Sequence, residues 1–300
     1  MTGKLILLLA LVVLTVVFVA GWALAVRRAR PAGGLWPGAL ELAVGLVTNF
    51  FDTLGIGSFA PTTSVFKLKR MVPDERIPGT LNVGHTMPTV AQALIFITIV
   101  NVGMATLVGL IVASVAGAWL GAGIVASWSR RKVQIGMGCT LLVAATLFTL
   151  TNLDLFPGGG AALSLHDARF VAGLAGNFAL GALMTLGIGL YAPCMILVSL
   201  LGMDPRAAFP IMMGSCAFLM PVGSLRFIQK GSYSVRPALG LAIGGVPGVL
   251  IAAFVVKSLS LTAVRWGVVL VVLYAAVAML RSALSGPGEP PPASTPPAVP

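Results

Sequence analysis

From Leu5 to Leu280 the sequence is a succession of apolar runs, each close to the 20 or so residues that a helix needs to cross a bilayer. Little room is left between them for a water-soluble domain. Only 9% of the 300 residues are charged and 58% are hydrophobic, whereas a soluble domain carries about a quarter charged residues. So few charges cannot cover a surface facing water, so lipid is the solvent for much of this one. The chain reads as an all-α polytopic membrane protein.

The other compositional signals fit inside that frame. A net charge of +11 would point to nucleic acid in a soluble protein. Here the basic residues lie in short loops between apolar runs, where the positive-inside rule accounts for them and no nucleic-acid partner is needed. Cys139, Cys194 and Cys216 lack metal or disulfide spacing, and two His and eight acids leave little for a metal cluster, so no metal and no cofactor is expected.

The first run, Leu5–Val26, is flanked by Lys4 and by Arg27, Arg28 and Arg30. Ala23–Ala25 offers a cleavage pattern, but the run exceeds a signal peptide's apolar region of about 7–15 residues, and a retained anchor is preferred. Residues 1–38 are therefore one helix and a basic loop. Residues 285–300, SGPGEPPPASTPPAVP, cannot bury a core and read as a disordered tail.

Between these ends the chain repeats itself. Thr53–Pro61 reads TLGIGSFAP and Thr185–Pro193 reads TLGIGLYAP. At the same offset Leu68 pairs with Leu200, Met71 with Met203, Pro73 with Pro205 and Pro78 with Pro210. After one gap, Gly109 pairs with Gly240, Gly117 with Gly248 and Gly136 with Gly267. The units are residues 39–155 and 167–284, joined by a linker at 156–166. Each opens with an apolar stretch broken by Gly-x-Gly and Pro and continues with three ordinary spans.

A broken stretch is either one crossing or a hairpin that returns to its own side. Hairpins put fourteen of the nineteen basic residues on one side, among them Lys67, Lys69, Arg70, Arg130, Arg131 and Lys132. Full crossings leave eight there and eleven opposite. Hairpins are therefore expected. A hairpin plus three spans makes an odd number of crossings, so the second repeat would enter upside down, as in many secondary transporters that bind substrate at the repeat interface near midplane.

The breaks are where chemistry is expected. Gly55, Gly57, Gly187 and Gly189 permit backbone angles that other residues resist, and Pro61 and Pro193 are tolerated in the first turn of a helix. Helices starting near Ser58 and Leu190 would aim free N–H groups at midplane, an arrangement suited to an anion. Ile56, Ile188, Asn82, Thr86, Ser215 and Cys216 complete the candidate substrate set. Asp52 is a carboxylate inside a span, and such residues are functional candidates by default; a helix-capping role is the structural alternative. His85 would carry a coupled proton or bond a carbonyl freed by the break. Arg226 would meet the anion or anchor the helix end.

The paired GIGxxxP segments resemble the TauE/SafE sulfite exporter family, as does the run from Arg226 through Gly231 to Gly244–Gly248. The resemblance covers roughly residues 39–284 and carries over Gly55, Gly57, Pro61, Gly187, Gly189 and Pro193. It departs from the family where a third glycine often follows GIG: Ser58 and Leu190 stand there. It implies a multi-pass permease of the inner membrane that moves sulfite or a related organosulfur anion. The expectation is thus a secondary transporter of a small sulfur-containing oxyanion, with Asp52 and His85 coupling it to a proton or cation. No ATP-binding loop is present in the sequence. An anion channel on the same hairpins and an intramembrane enzyme using Cys194, Cys216 or His85 stay open beside it, as does assembly into a homo-oligomer.

Overall fold

The computed structural model describes residues 2–29, 34–155, 160–187, 189–254 and 262–284. The proline-rich tail and Ile188 lie outside them. The described residues form eleven α-helices: α1 (Thr2–Ala29), α2 (Ala39–Thr53), α3 (Phe59–Lys69), α4 (Ile77–Ile99), α5 (Met104–Val125), α6 (Arg130–Asn152), α7 (Asp167–Met184), α8 (Tyr191–Leu200), α9 (Ala208–Gln229), α10 (Val235–Phe254) and α11 (Thr262–Leu284). Short 3-10 turns at Asp74–Arg76 and Pro205–Ala207 precede α4 and α9. From α2 to α6 and from α7 to α11 the same elements recur in the same order.

Both Gly-x-Gly stretches break their helices. α2, α3 and α8 have 15, 11 and 10 residues, or about 22, 16 and 15 Å at the α-helical rise. None reaches across a hydrocarbon layer of about 30 Å. Five other helices are long and apolar enough to do so: α1, α5, α6, α9 with its preceding turn, and α10. α4 is as long, but it carries Asn82, His85, Thr86 and Gln92 and is buried along most of its length. It is the polar inner helix of the bundle.

Helix pairing follows the repeat. α2 packs on α10 and α7 on α5; α4 packs on α10 and α9 on α5; α4 meets α9 and α6 meets α11. Exchanging the halves maps this set onto itself. Contact directions are equally regular. Gly84 meets Ala238 and Leu241 while Pro88 meets Gly245, so α4 and α10 run parallel. Gly79 meets Phe227 while Ile97 meets Gly214, so α4 and α9 run antiparallel.

The seams between halves are made by small residues. A Cβ on Gly45 would stand 2.6 Å from the Gly240 carbonyl oxygen, and one on Gly121 would stand 2.7 Å from that of Ala182. Backbones this close gain dispersion contacts that a larger side chain would forbid, the usual basis of helix association in lipid.

The ends of the bundle place the breaks. At one end Arg236 Nε lies 3.4 Å from Glu41 Oε1, tying the starts of α10 and α2. The Ser232 hydroxyl donates to the Ala126 carbonyl, and the Ser234 amide to Thr80 Oγ1. At the same end Lys67 Nζ and Gln134 Nε2 donate to Asp74 Oδ2 at 2.7 and 2.8 Å, joining the end of α3 to α6. α2 therefore begins, and α3 ends, on the same side. At the opposite end residues 160–166, expected as a plain linker, are fastened: Gly160 N bonds Met203 O, Asp204 N bonds Ala162 O, and Gly103 N bonds Leu163 O. This holds the start of α7 beside the end of α8.

α1 lies against α9, α4 and α5. Leu7, Leu11, Phe18, Trp22 and Val26 face inward, while Leu5, Ile6, Val12, Val13, Val16 and Val17 are exposed. In water such an apolar face would be a liability; in a bilayer it is the ordinary surface.

Candidate functional site

At the first break the carbonyls that end α2 are closed by tight turns: Leu54 N and Ile56 N bond Phe51 O, and Gly55 N bonds Asp52 O. Gly55 and Gly57 have φ of 90° and 89°. In that region an L side chain costs about 1–2 kcal/mol. The second break repeats the turn, with Thr185, Leu186 and Gly187 bonded to Ala182, Leu183 and Met184, and with Gly187 at φ 96°. Gly189 departs from the expectation, since its φ is not positive and an added Cβ would meet only Phe59 Cβ at 3.9 Å.

With the carbonyls satisfied, the N–H groups are what each break leaves. α3 begins Phe59, Ala60, Pro61 and α8 begins Tyr191, Ala192, Pro193, after Ser58 and Leu190. The first amides of a helix have no acceptor within it. The proline at the third position has no amide to satisfy. The two starts face one narrow cleft of about 20 Å³, lined by Ile56, Gly57, Phe59 and Ala60 from the first break and Gly189, Tyr191, Ala192 and Pro193 from the second, with Ala144 and Leu147 of α6 as a wall. Two helix N-termini thus converge on a mainly apolar opening, where their partial positive charge is poorly screened.

A buried polar network stands behind the first break. Gln92 Nε2 donates to Asp52 Oδ2 at 2.8 Å and to Thr53 Oγ1 at 2.9 Å. Gln92 Oε1 accepts from the hydroxyl of Tyr191, which belongs to the other half and lines the cleft. Asp52 also faces the hydroxyl and backbone amide of Ser58 at the start of α3, as the capping alternative requires, and through Gln92 it is joined to the start of α8. His85 lies between Asn49 Oδ1, 3.0 Å from Nδ1, and Thr62 Oγ1, 3.1 Å from Nε2. An amide oxygen can only accept, so Nδ1 carries the hydrogen and Nε2 accepts from Thr62. The partners are side chains from α2 and α3 rather than a carbonyl freed by the break.

The matching region of the second half is lined with sulfur. Met184 stands where the first half has Asp52, Cys194 where it has Thr62, and Cys216 where it has Gly84, beside Ala217 in the place of His85. All four are buried, and Cys216 Sγ lies 3.5 Å from Met184 Sδ. Ser215 is held by Asn177, whose Nδ2 also donates to Leu110 O.

Of the expected substrate residues, the structure brings Ile56, Gly57, Gly189 and Pro193 to the cleft, with Ser58 and Leu190 capping the helices that open on it. Gly55 lies closest to Phe209 and Met195. Asn82 and Thr86 instead turn back on α4, bonding Pro78 O and Asn82 O. Arg226 stacks on Trp119 near the end of α9, 3.8 Å from the ring centroid, as an anchor would. Sequence reasoning missed Gln92, Tyr191, Thr62 and Asn177. Gln92 and Asn177 are lone amides in apolar runs, a signal that could have found them.

Residues 169–300 match the family model described as Sulfite exporter TauE/SafE, which supports the family that the motifs resemble. No curated protein and no solved structure matched the chain.

Proposed function

From that family match, we propose that this membrane protein is a secondary transporter of a small sulfur-containing oxyanion or organosulfonate, bound where α3 and α8 begin. The observation that carries this is the convergence of two helix N-termini, one from each repeat, on a single cleft. Amides in the first turn bind negative charge without a basic side chain, and a low-polarity wall strengthens the attraction. A loosely held anion can leave again, as transport requires.

The second repeat is inserted upside down relative to the first. Support comes from the antiparallel packing of α4 on α9, the parallel packing of α4 on α10, and the charge bias of the loops. By the same bias the end with Lys67, Arg130 and Arg236 faces the cytoplasm of a bacterial inner membrane. Asp52 is the group that couples anion movement to a proton or cation, and His85 holds α2 and α3 in place beside it.

Purified protein in liposomes should carry labelled thiosulfate, sulfite or an alkyl sulfonate with saturable flux. Gly57→Leu should abolish it, because the side chain would enter the cleft on a backbone that resists it. Asp52→Asn should alter its pH or ion dependence. Full transport in both variants would remove the site from these residues, and unitary currents would make the protein a channel.

A further inference from the structure

We infer that Gln92 is a rotatable relay that converts protonation of Asp52 into a hydrogen-bond donor for the anion, the donor being the Tyr191 hydroxyl. This rests on the anion reading above and names how the same site is regulated.

A glutamine side chain offers donors on one atom and an acceptor on the other. In this structure the donor atom faces Asp52 and Thr53, and the acceptor atom faces Tyr191. That arrangement suits an ionised Asp52, which can only accept. It also engages the Tyr191 hydrogen, so the hydroxyl has none to offer an anion in the cleft that this residue lines.

Protonation of Asp52 reverses each of these bonds. The new O–H needs an acceptor, and a half-turn of the Gln92 amide brings Oε1 to it. Thr53, whose hydroxyl now donates to Asn49 O at 2.8 Å, can turn its hydrogen to the second lone pair of Oε1. Nε2 then faces Tyr191 and donates to its oxygen, which releases the phenolic hydrogen into the cleft. No covalent bond forms or breaks beyond the O–H at Asp52. The amide keeps its shape, and Gln92, Asp52 and Tyr191 are buried, so an unmade hydrogen bond at any step would be costly.

Other groups face Asp52 as well, and Ser58 and Tyr191 are within hydrogen-bond reach of it. These groups are the hydroxyl and amide of Ser58 before α3, Tyr191 on α8 and Cys216 on α9. His85 on α4 is engaged by Asn49 and Thr62. Among the described residues, no ion pair reaches Asp52. A proton on Asp52 and an anion at Tyr191 therefore favour each other, and the two travel together.

The test is thiosulfate binding to the protein in lipid nanodiscs, by calorimetry from acid to neutral pH, a range over which thiosulfate keeps its charge. Wild-type affinity should rise on the acid side by about tenfold, the value of one hydrogen bond to a charged group. Tyr191→Phe and Gln92→Met should each flatten that rise. Asp52→Asn, whose amide donates as the protonated acid does, should bind with the acid-side affinity at every pH. A full pH response in Tyr191→Phe or Gln92→Met, with each variant's thermal midpoint confirming its fold, overturns the relay. So does weak, neutral-like binding by Asp52→Asn. Absence of binding by the wild type to thiosulfate and to an alkyl sulfonate would overturn the anion reading itself, and this inference with it.

Discussion

The two repeats share a backbone plan and differ in what fills it. Behind the first break stand Asn49, Asp52, Thr53, Thr62, His85 and Gln92, joined by hydrogen bonds. Behind the second, the corresponding space holds Met184, Cys194, Cys216 and Ala217. Duplication supplied two equivalent helix starts, and divergence left one wired to ionisable groups and the other packed with soft apolar ones. On the proposed reading, an anion held between unlike halves would meet a polar, proton-responsive side and a passive side. Among the described residues, Tyr191 is where the second half hydrogen-bonds into the network of the first.

If that contrast is real, disrupting the first half should cost most. His85→Leu strands Asn49 Oδ1 and the Thr62 hydroxyl in a buried site, a loss of about 1–3 kcal/mol for each group left unpaired. The thermal midpoint should fall sharply and transport with it. An unchanged midpoint would mean that the first half is not held together by its polar bonds. The glycines sharpen the comparison at an intermediate scale. Gly57→Ala keeps φ at 89° only with strain, so about 1–2 kcal/mol of stability should be lost although nothing stands within 4 Å of the new methyl. Gly189→Ala should be close to neutral, since its backbone is ordinary and its nearest neighbour is at 3.9 Å. Equal losses in the two variants would erase the difference between the breaks. A small effect should also come from Cys216→Ala, at about 1 kcal/mol, with flux little altered. A severe transport defect there would give the sulfur-lined side an active part.

The repeat, both breaks and the helix starts at Ser58 and Leu190 were legible in the sequence, because each depends on a local pattern: Gly-x-Gly, Pro or apolar length. The polar network was not. Gln92 lies 40 positions from Asp52 and 99 from Tyr191, and no local pattern records that α4 turns this amide toward both breaks. Asn82 and Thr86 show the converse. They are polar, in a span and on a promising face, yet the Asn82 amide nitrogen and the Thr86 hydroxyl both donate within their own helix. Helical spacing predicts which residues share a face and leaves undecided which of them spend their hydrogen bonds at home. Ile188, part of the second motif, lies outside the described residues.

The glycine seams have a consequence for motion. Because α2 is closed against α10 and α7 against α5, each repeat lends its opening helix to the other, and the halves are interleaved. Rocking one repeat as a rigid block would prise open both seams, where backbone rests on backbone. The interleaved pairs form the chassis, and α3 and α8, short and tethered at a glycine turn, are the parts that can shift without dismantling it.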